Sequence, residues 1–189
     1  MLKHSAIAIL LVAAPPLAAH AAESYTVDPA HTYALFSVSH FGYSTMHGRF
    51  DKTSGKVTLD RAAKNGSVDI TIEAASISTG FAKRDEHLKS PDFFNAAEFP
   101  RISYQSASIQ FTGDTPTGVA GKLTLLGVTK PVTLKIGAFK CGPNPMNHKE
   151  ECGAAATAQI KRSDFGMTTY LPGVGDDIKL EFEIEAYKD

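Results

Sequence analysis

Asp177 to Tyr187 reads DIKLEFEIEAY. Successive side chains of an extended chain point to opposite faces, so Ile178, Leu180, Phe182, Ile184 and Ala186 fall on one side and Lys179, Glu181, Glu183 and Glu185 on the other. A helical period does not separate the two sets. The stretch predicts a long strand with one apolar and one charged face.

The same period of two runs through most of the chain. HTYALFSVSHF (31–41) puts Ala34, Phe36, Val38 and His40 on one face, and GKVTLD (55–60) supplies Val57 and Leu59. SVDITIEAAS (67–76) aligns Val68, Ile70, Ile72 and Ala74. Ile102 and Tyr104, then Val119, Leu123 and Leu125, then Val132, Leu134 and Ile136 continue it, and Ala154, Ala156, Ala158 and Ile160 precede the final strand. Between these runs stand turn signals: Lys64-Asn65-Gly66, Gly113-Asp114, Leu126-Gly127-Val128 and Pro172-Gly173. About eight antiparallel strands in a single domain, residues 22–189, are expected.

Such strands serve a closed barrel or a two-sheet sandwich. The long final strand with its charged outer face favours the barrel, as do Gly48, Gly121 and Gly137 inside strand patterns, where a barrel needs bends or close approach.

One segment breaks the period: FAKRDEHLKSPDFFNAAEFP, 81–100. Ser78 or Thr79 is expected to cap a short helix through Lys89, with Phe81 and Leu88 on one face and Asp85 meeting Lys89 at i,i+4. Ser90-Pro91 suits the start of a second helical turn, carrying Phe93, Phe94 and Phe99 against the barrel. The helical insertion should lie around residues 80–97.

The N-terminus combines Lys3, an apolar run from Ala6 to Ala14, and small residues ending at Ala19-His20-Ala21. It reads as a secretory signal peptide, residues 1–21, too short in its apolar run to span a bilayer. Its removal takes one of the 19 basic residues against 20 acidic ones, leaving a net charge of about −2. With no basic stripe, that balance argues against a nucleic-acid partner. Secretion into an oxidising compartment favours a disulfide between Cys141 and Cys152 over a metal site formed by both thiolates with His148.

Catalytic constellations are weak. Asp85 and His87 would lie about 200° apart around a helix and cannot act as a dyad. His31, His40 and His47 form a candidate metal trio, and a metal-dependent enzyme is the corresponding minor reading. Nine residues separate His31 from His40, which places them on opposite faces of an unbroken strand. A partly buried His40 continuing the Phe36 face is the plainer expectation. No nucleophile elbow or phosphate-cradling loop is visible. No catalytic residue, metal site or cofactor is assigned. The inner face remains, with alanines on one wall leaving room that large residues would fill. Periodicity alone leaves a ligand cavity and a solid core equally open.

HFGYSTMHGRF (40–50), RDEHLKSPDFFNAAEFP (84–100), LTLLGVTKPVTL (123–134) and KRSDFGM (161–167) resemble, in order, the signature blocks of the YceI-like family, secreted or periplasmic bacterial proteins also described as polyisoprenoid-binding. The resemblance runs from Tyr25 to the C-terminus. It implies an eight-stranded antiparallel, lipocalin-like barrel that holds a long apolar molecule, an isoprenoid quinone or related lipid, without catalysis. The implied ligand-binding residues are Phe36, Val38, Phe50, Leu123, Leu125, Phe165, Met167, Leu171 and Phe182. Phe93, Phe94 and Phe99 join them from the insertion, at least one in ligand contact. A periplasmic carrier follows, with transient membrane or membrane-protein contact. A scavenger of amphiphilic small molecules or antibiotics is the alternative. Base rates favour an isologous dimer if the chain oligomerises. The Cys141–Cys152 loop departs from the family pattern.

Overall fold

The computed structural model describes residues 22–189; the expected signal peptide lies outside them. Twelve strand segments follow one another: β1 Glu23–Val27, β2 Tyr33–His40, β3 Ser44–Phe50, β4 Thr53–Asp60, β5 Asn65–Glu73, β6 Ile77–Ser78, β7 Arg101–Ser106, β8 Ile109–Thr112, β9 Thr115–Leu125, β10 Val128–Pro143, β11 Glu150–Lys161 and β12 Val174–Lys188.

β12 is the seam. On one edge β11 pairs with it from Glu151 opposite Tyr187 to Lys161 opposite Asp177. On the other, β1 takes its last residues, Val27 opposite Ala186, and β2 takes the rest, from Tyr33 opposite Glu183 to His40 opposite Val174. β1 and β2 thus act as one interrupted strand. β4 and β3 pair with them in the same way, and β5 and β6 pair with those. β7, β9, β10 and β11 complete the circuit, with β8 added as a short ribbon on β9. The result is a closed, eight-stranded antiparallel barrel. Closure removes the free edges a sandwich would leave.

The interruption between β1 and β2 leaves Glu185 of β12 without a ladder partner on that edge, and its backbone groups there must be satisfied. Thr32, 1% exposed, supplies it: its hydroxyl donates to the Glu185 carbonyl at 3.1 Å and accepts from the Glu185 N–H at 3.0 Å. The Asp28 N–H donates to the same carbonyl at 2.8 Å.

Two of the three strand glycines mark close approach. A Cβ on Gly48 would lie 2.4 Å from the Phe36 ring, its cross-strand neighbour, and one on Gly121 would lie 2.5 Å from the Tyr104 ring. Gly137 differs: it sits at a register shift between Ile136 and Ala138 with open space beside it, so it marks a bend.

The insertion contains one helix, α1 Ala82–Lys89, followed by turns through Phe99. Its capping reverses the sequence expectation. Neither Ser78 nor Thr79 caps the helix; instead the Asp85 carboxylate accepts from the Thr79 N–H at 2.9 Å and from its hydroxyl. Asp85 is therefore engaged at the N-terminus, where the helix dipole favours a carboxylate, and Lys89 pairs with Glu86 at 3.0 Å. The second helical turn is a series of tight turns: Phe93 N–H donates to Ser90 and Phe94 N–H to Leu88.

Cys141 and Cys152 form a disulfide between directly opposed residues of β10 and β11. For a loop of this size the stabilisation is up to about 3 kcal/mol. Replacing both cysteines by serine is expected to lower the urea-unfolding free energy by no more than that amount while leaving the far-UV circular dichroism unchanged.

Candidate ligand-binding chamber

The inner faces do not pack solid. Ile70, Ile72, Ile102, Leu123, Leu125 and Leu134 are buried on β5, β7, β9 and β10. The inner residues of the opposite wall, Phe36, Val38, Ile160, Ile178, Leu180 and Phe182, remain only half-buried. A residue that faces inward yet keeps accessible surface borders empty space. Against this wall lies a chamber of about 120 Å³. It presents no polar atom to that space. A lone polar group there would be costly, whereas an apolar chain would lose its hydration at no such cost.

The chamber occupies the end of the barrel that carries the β2–β3 turn and residues 162–173. The insertion covers it. Phe94 packs edge-to-face on Phe50 at 5.3 Å and lies tilted 6.4 Å from Phe36, while Phe93 lies 6.1 Å from Tyr170 and 5.1 Å from His87. Leu88, Phe93, Phe94 and Met167 also line it.

Arg162 holds that end together. It is 3% exposed and makes no ion pair among the described residues. Its Nε donates to Gly175 at 2.8 Å, Nη1 to Met167 at 3.1 Å, and Nη2 to Thr169 at 2.9 Å and Val174 at 2.8 Å, all backbone carbonyls. Burial lowers its pKa from the ordinary value. Asp176 accepts from the N–H and hydroxyl of Ser163, fixing the start of the same loop. The guanidinium faces the loop backbone, so it braces the chamber wall and offers no headgroup site.

The opposite end is closed by charge. Lys188 meets Glu23 at 2.6 Å and Glu150 at 3.4 Å, and the buried Tyr25 hydroxyl donates to Glu23 at 2.8 Å. The Lys188 hydrogen bond, then that of Tyr25, holds the Glu23 carboxyl below its ordinary range. Burial pushes the Tyr25 phenol up. Above this cluster lies a second apolar chamber, about 80 Å³, between Tyr25, Ile109, Phe139, Cys152 and Ile184. The alanine wall borders this lower space through Ala154 and Ala156.

Of the residues named from sequence, Phe36, Val38, Phe50, Phe93, Phe94, Leu123, Leu125, Met167 and Phe182 line the upper chamber. Three stand elsewhere. Phe99 packs on Gly127 at the β9–β10 turn, Phe165 is 2% exposed beneath a groove bordered by Lys130 and Asp164, and Leu171 sits half-buried in the 168–173 turn. Sequence reasoning passed over Val174 and the bracing role of Arg162, and placed Leu88 on a helix face with Phe81 without assigning it to the chamber; Val174 opens β12 and stands outside its alternating run. His40 is exposed, edge-on to Phe41 at 4.8 Å, because β2 runs out of the barrel there. The histidine trio is not assembled. His31 precedes β2 and His40 ends it, about 30 Å along an extended chain, and His47 is exposed on β3. His31 instead pairs with Asp28 at 2.7 Å on the outer surface, which raises its pKa.

An antiparallel eight-stranded barrel enclosing an apolar chamber defines the lipocalin-like barrel class. The YceI-like domain model matches residues 25–186, and the chain belongs to that family. It is 36% identical over 176 residues to a UPF0312 protein of Shewanella denitrificans, covering 92% of this chain and 91% of that one. It is 38% identical over 169 residues to Protein YceI of Salmonella arizonae, covering 87% and 86%. Among solved structures it is similar to Campylobacter jejuni YCEI protein (TM-score 0.68, 30% identity, 80% and 90% covered). It shares its fold with a polyisoprenoid binding domain from Saccharophagus degradans (TM-score 0.65, 15% identity, 88% and 99% covered).

Arg162→Lys cannot reach all four carbonyls, and the abandoned ones should cost about 3 kcal/mol in urea unfolding, with faster amide exchange confined to the 162–175 loop. At the other end, the Glu23 contribution is present above its ordinary pKa of 4.5 and is lost as pH falls through the lower folded value. Wild-type stability should therefore fall below pH 4.5 more steeply than that of Glu23→Gln, measured by urea titration at successive pH values.

Proposed function

We propose that the protein is a secreted, periplasmic carrier that holds a long apolar chain, an isoprenoid quinone or related polyisoprenoid lipid, in the upper chamber. The observation that carries this reading is the apolar chamber itself, walled by half-buried inner residues with no polar atom presented. Phe36, Val38, Phe50, Phe94, Leu123 and Phe182 are the proposed contacts. That a domain of the same fold from Saccharophagus degradans is a polyisoprenoid binding domain supports the ligand class.

Magnitudes favour a long chain. Burial yields about 0.8 kcal/mol per methylene, so ten such groups provide about 8 kcal/mol, within the roughly 4–15 kcal/mol that association costs. Twenty provide about 16 kcal/mol and leave a surplus. A chain of this kind needs no polar anchor, and no catalytic group is required to hold or release it.

The covered end also carries exposed apolar side chains: Phe41 at 55%, Tyr43 at 92% and Tyr170 at 55%. Aromatic rings of this type suit the interface between water and lipid. They support transfer of the chain at a membrane through that end, whereas the charge-closed end offers no such path.

Organic extraction of protein purified from its native host, followed by mass spectrometry, should release a prenyl lipid in near-stoichiometric amount; extracts without any lipid would contradict the reading. Competition separates a carrier from a scavenger of amphiphiles or antibiotics, since a carrier should prefer a quinone analogue to hydrophobic drugs. Filling the chamber supplies a second test. Val38→Phe with Ile178→Phe should weaken geranylgeraniol binding at least about tenfold while leaving the melting temperature unchanged or higher.

A further inference from the structure

The two apolar chambers share no lining residue. On β12, Ile184 borders the lower one and Phe182 the upper; on β9, Val119 the lower and Leu123 the upper; on β5, Val68 the lower and Ile72 the upper. On β5 and β9 four residues separate the pair, so one inward position, Ile70 or Gly121, lies between the two spaces, whereas on β12 the two bordering residues are consecutive inward positions. On β5, β7 and β10 the layer between them consists of Ile70, Tyr104 and Val132, all buried and bordering neither space.

Tyr104 is the largest of the three, and it is pinned. Its ring lies over Gly121, where any side chain would collide with it. Its phenol oxygen lies 2.8 Å from the Val119 carbonyl and 2.9 Å from the Val132 carbonyl and donates to this pair. A buried aromatic ring held by both a glycine seat and backbone carbonyls keeps one position in the wall. Burial pushes its pKa up to about 12, so the phenol remains a donor throughout the neutral range.

We infer that Tyr104 sets the length of chain the protein accepts, by partitioning the interior so that the ligand fills the upper chamber and stops at this layer. The inference rests on the carrier reading above and adds a selectivity to it. Chains that end above Tyr104 gain affinity with each added carbon, and chains that would pass it gain nothing further. The lower chamber is then reserve space, closed off from the ligand by the layer in which Tyr104 is the largest side chain.

The test is a ladder of farnesol, geranylgeraniol and solanesol, each displacing a fluorescent prenyl probe from wild-type protein, Tyr104→Ala and Tyr104→Phe. Wild-type affinity should rise from farnesol to geranylgeraniol and rise no further for solanesol. Tyr104→Ala should join the chambers and bind solanesol at least about tenfold more tightly than wild type, an effect that two newly buried methylenes suffice to produce. Farnesol should bind both proteins equally. Tyr104→Phe keeps the ring and loses only the carbonyl anchor, so it guards against a variant that does not fold, and its gain for solanesol should be intermediate. Wild-type affinity that continues to climb through solanesol, or equal solanesol binding by wild type and both variants, would overturn the inference while leaving the carrier intact. Failure of every prenol to bind wild type would overturn the carrier reading and this inference with it.

Discussion

The structure depends on the pairing of β12 along its whole length, with β11 on one edge and β1 followed by β2 on the other. Only a strand with one apolar face and one charged face can sit in a barrel wall between two such neighbours. Its apolar side chains then point to the axis, and the circuit of eight strands closes around them. Thr32 makes the closure continuous, since it satisfies Glu185 where two successive strands exchange places on the seam.

Closure fixes the interior volume independently of the side chains that must fill it. On the β5–β7–β9–β10 side the large inner residues pack to burial. On the β2–β11–β12 side they stay half-buried and border the upper chamber. The two ends then differ in kind. Arg162 and the aromatic insertion finish one end with backbone bracing and apolar cover, while Lys188, Glu23, Glu150 and Tyr25 finish the other with charge. An apolar chain can pass the first far more readily than the second, because crossing the second would strip ion pairs of their partners.

Much of this was legible in the sequence for a simple reason: a strand with one buried face writes its orientation in every second residue. The inner face of β12, the β5 run from Val68 to Ala74 and most upper-chamber residues were read in that way. The misreadings fall where the period ends. Thr79 and Asp85 exchange the expected roles of cap and capped group, because the carboxylate of the fourth helical residue reaches back to the strand end. His40 loses its burial because β2 outruns the barrel. The alanines of β11 do create space, but in the lower chamber, since depth along the barrel depends on register and tilt that alternation does not encode. Arg162 gave no local signal, as its four partners are backbone carbonyls up to thirteen residues away.

The central claim is that the apolar chain lies inside the barrel, against the half-buried wall. It is tested most directly by isotope-edited NMR on protein carrying labelled methyl groups and bound to unlabelled geranylgeraniol. The account predicts intermolecular nuclear Overhauser effects from the prenyl methyls to Leu125, Ile160, Ile178 and Leu180. Contacts confined to the outer faces, or none to these four residues, would contradict it.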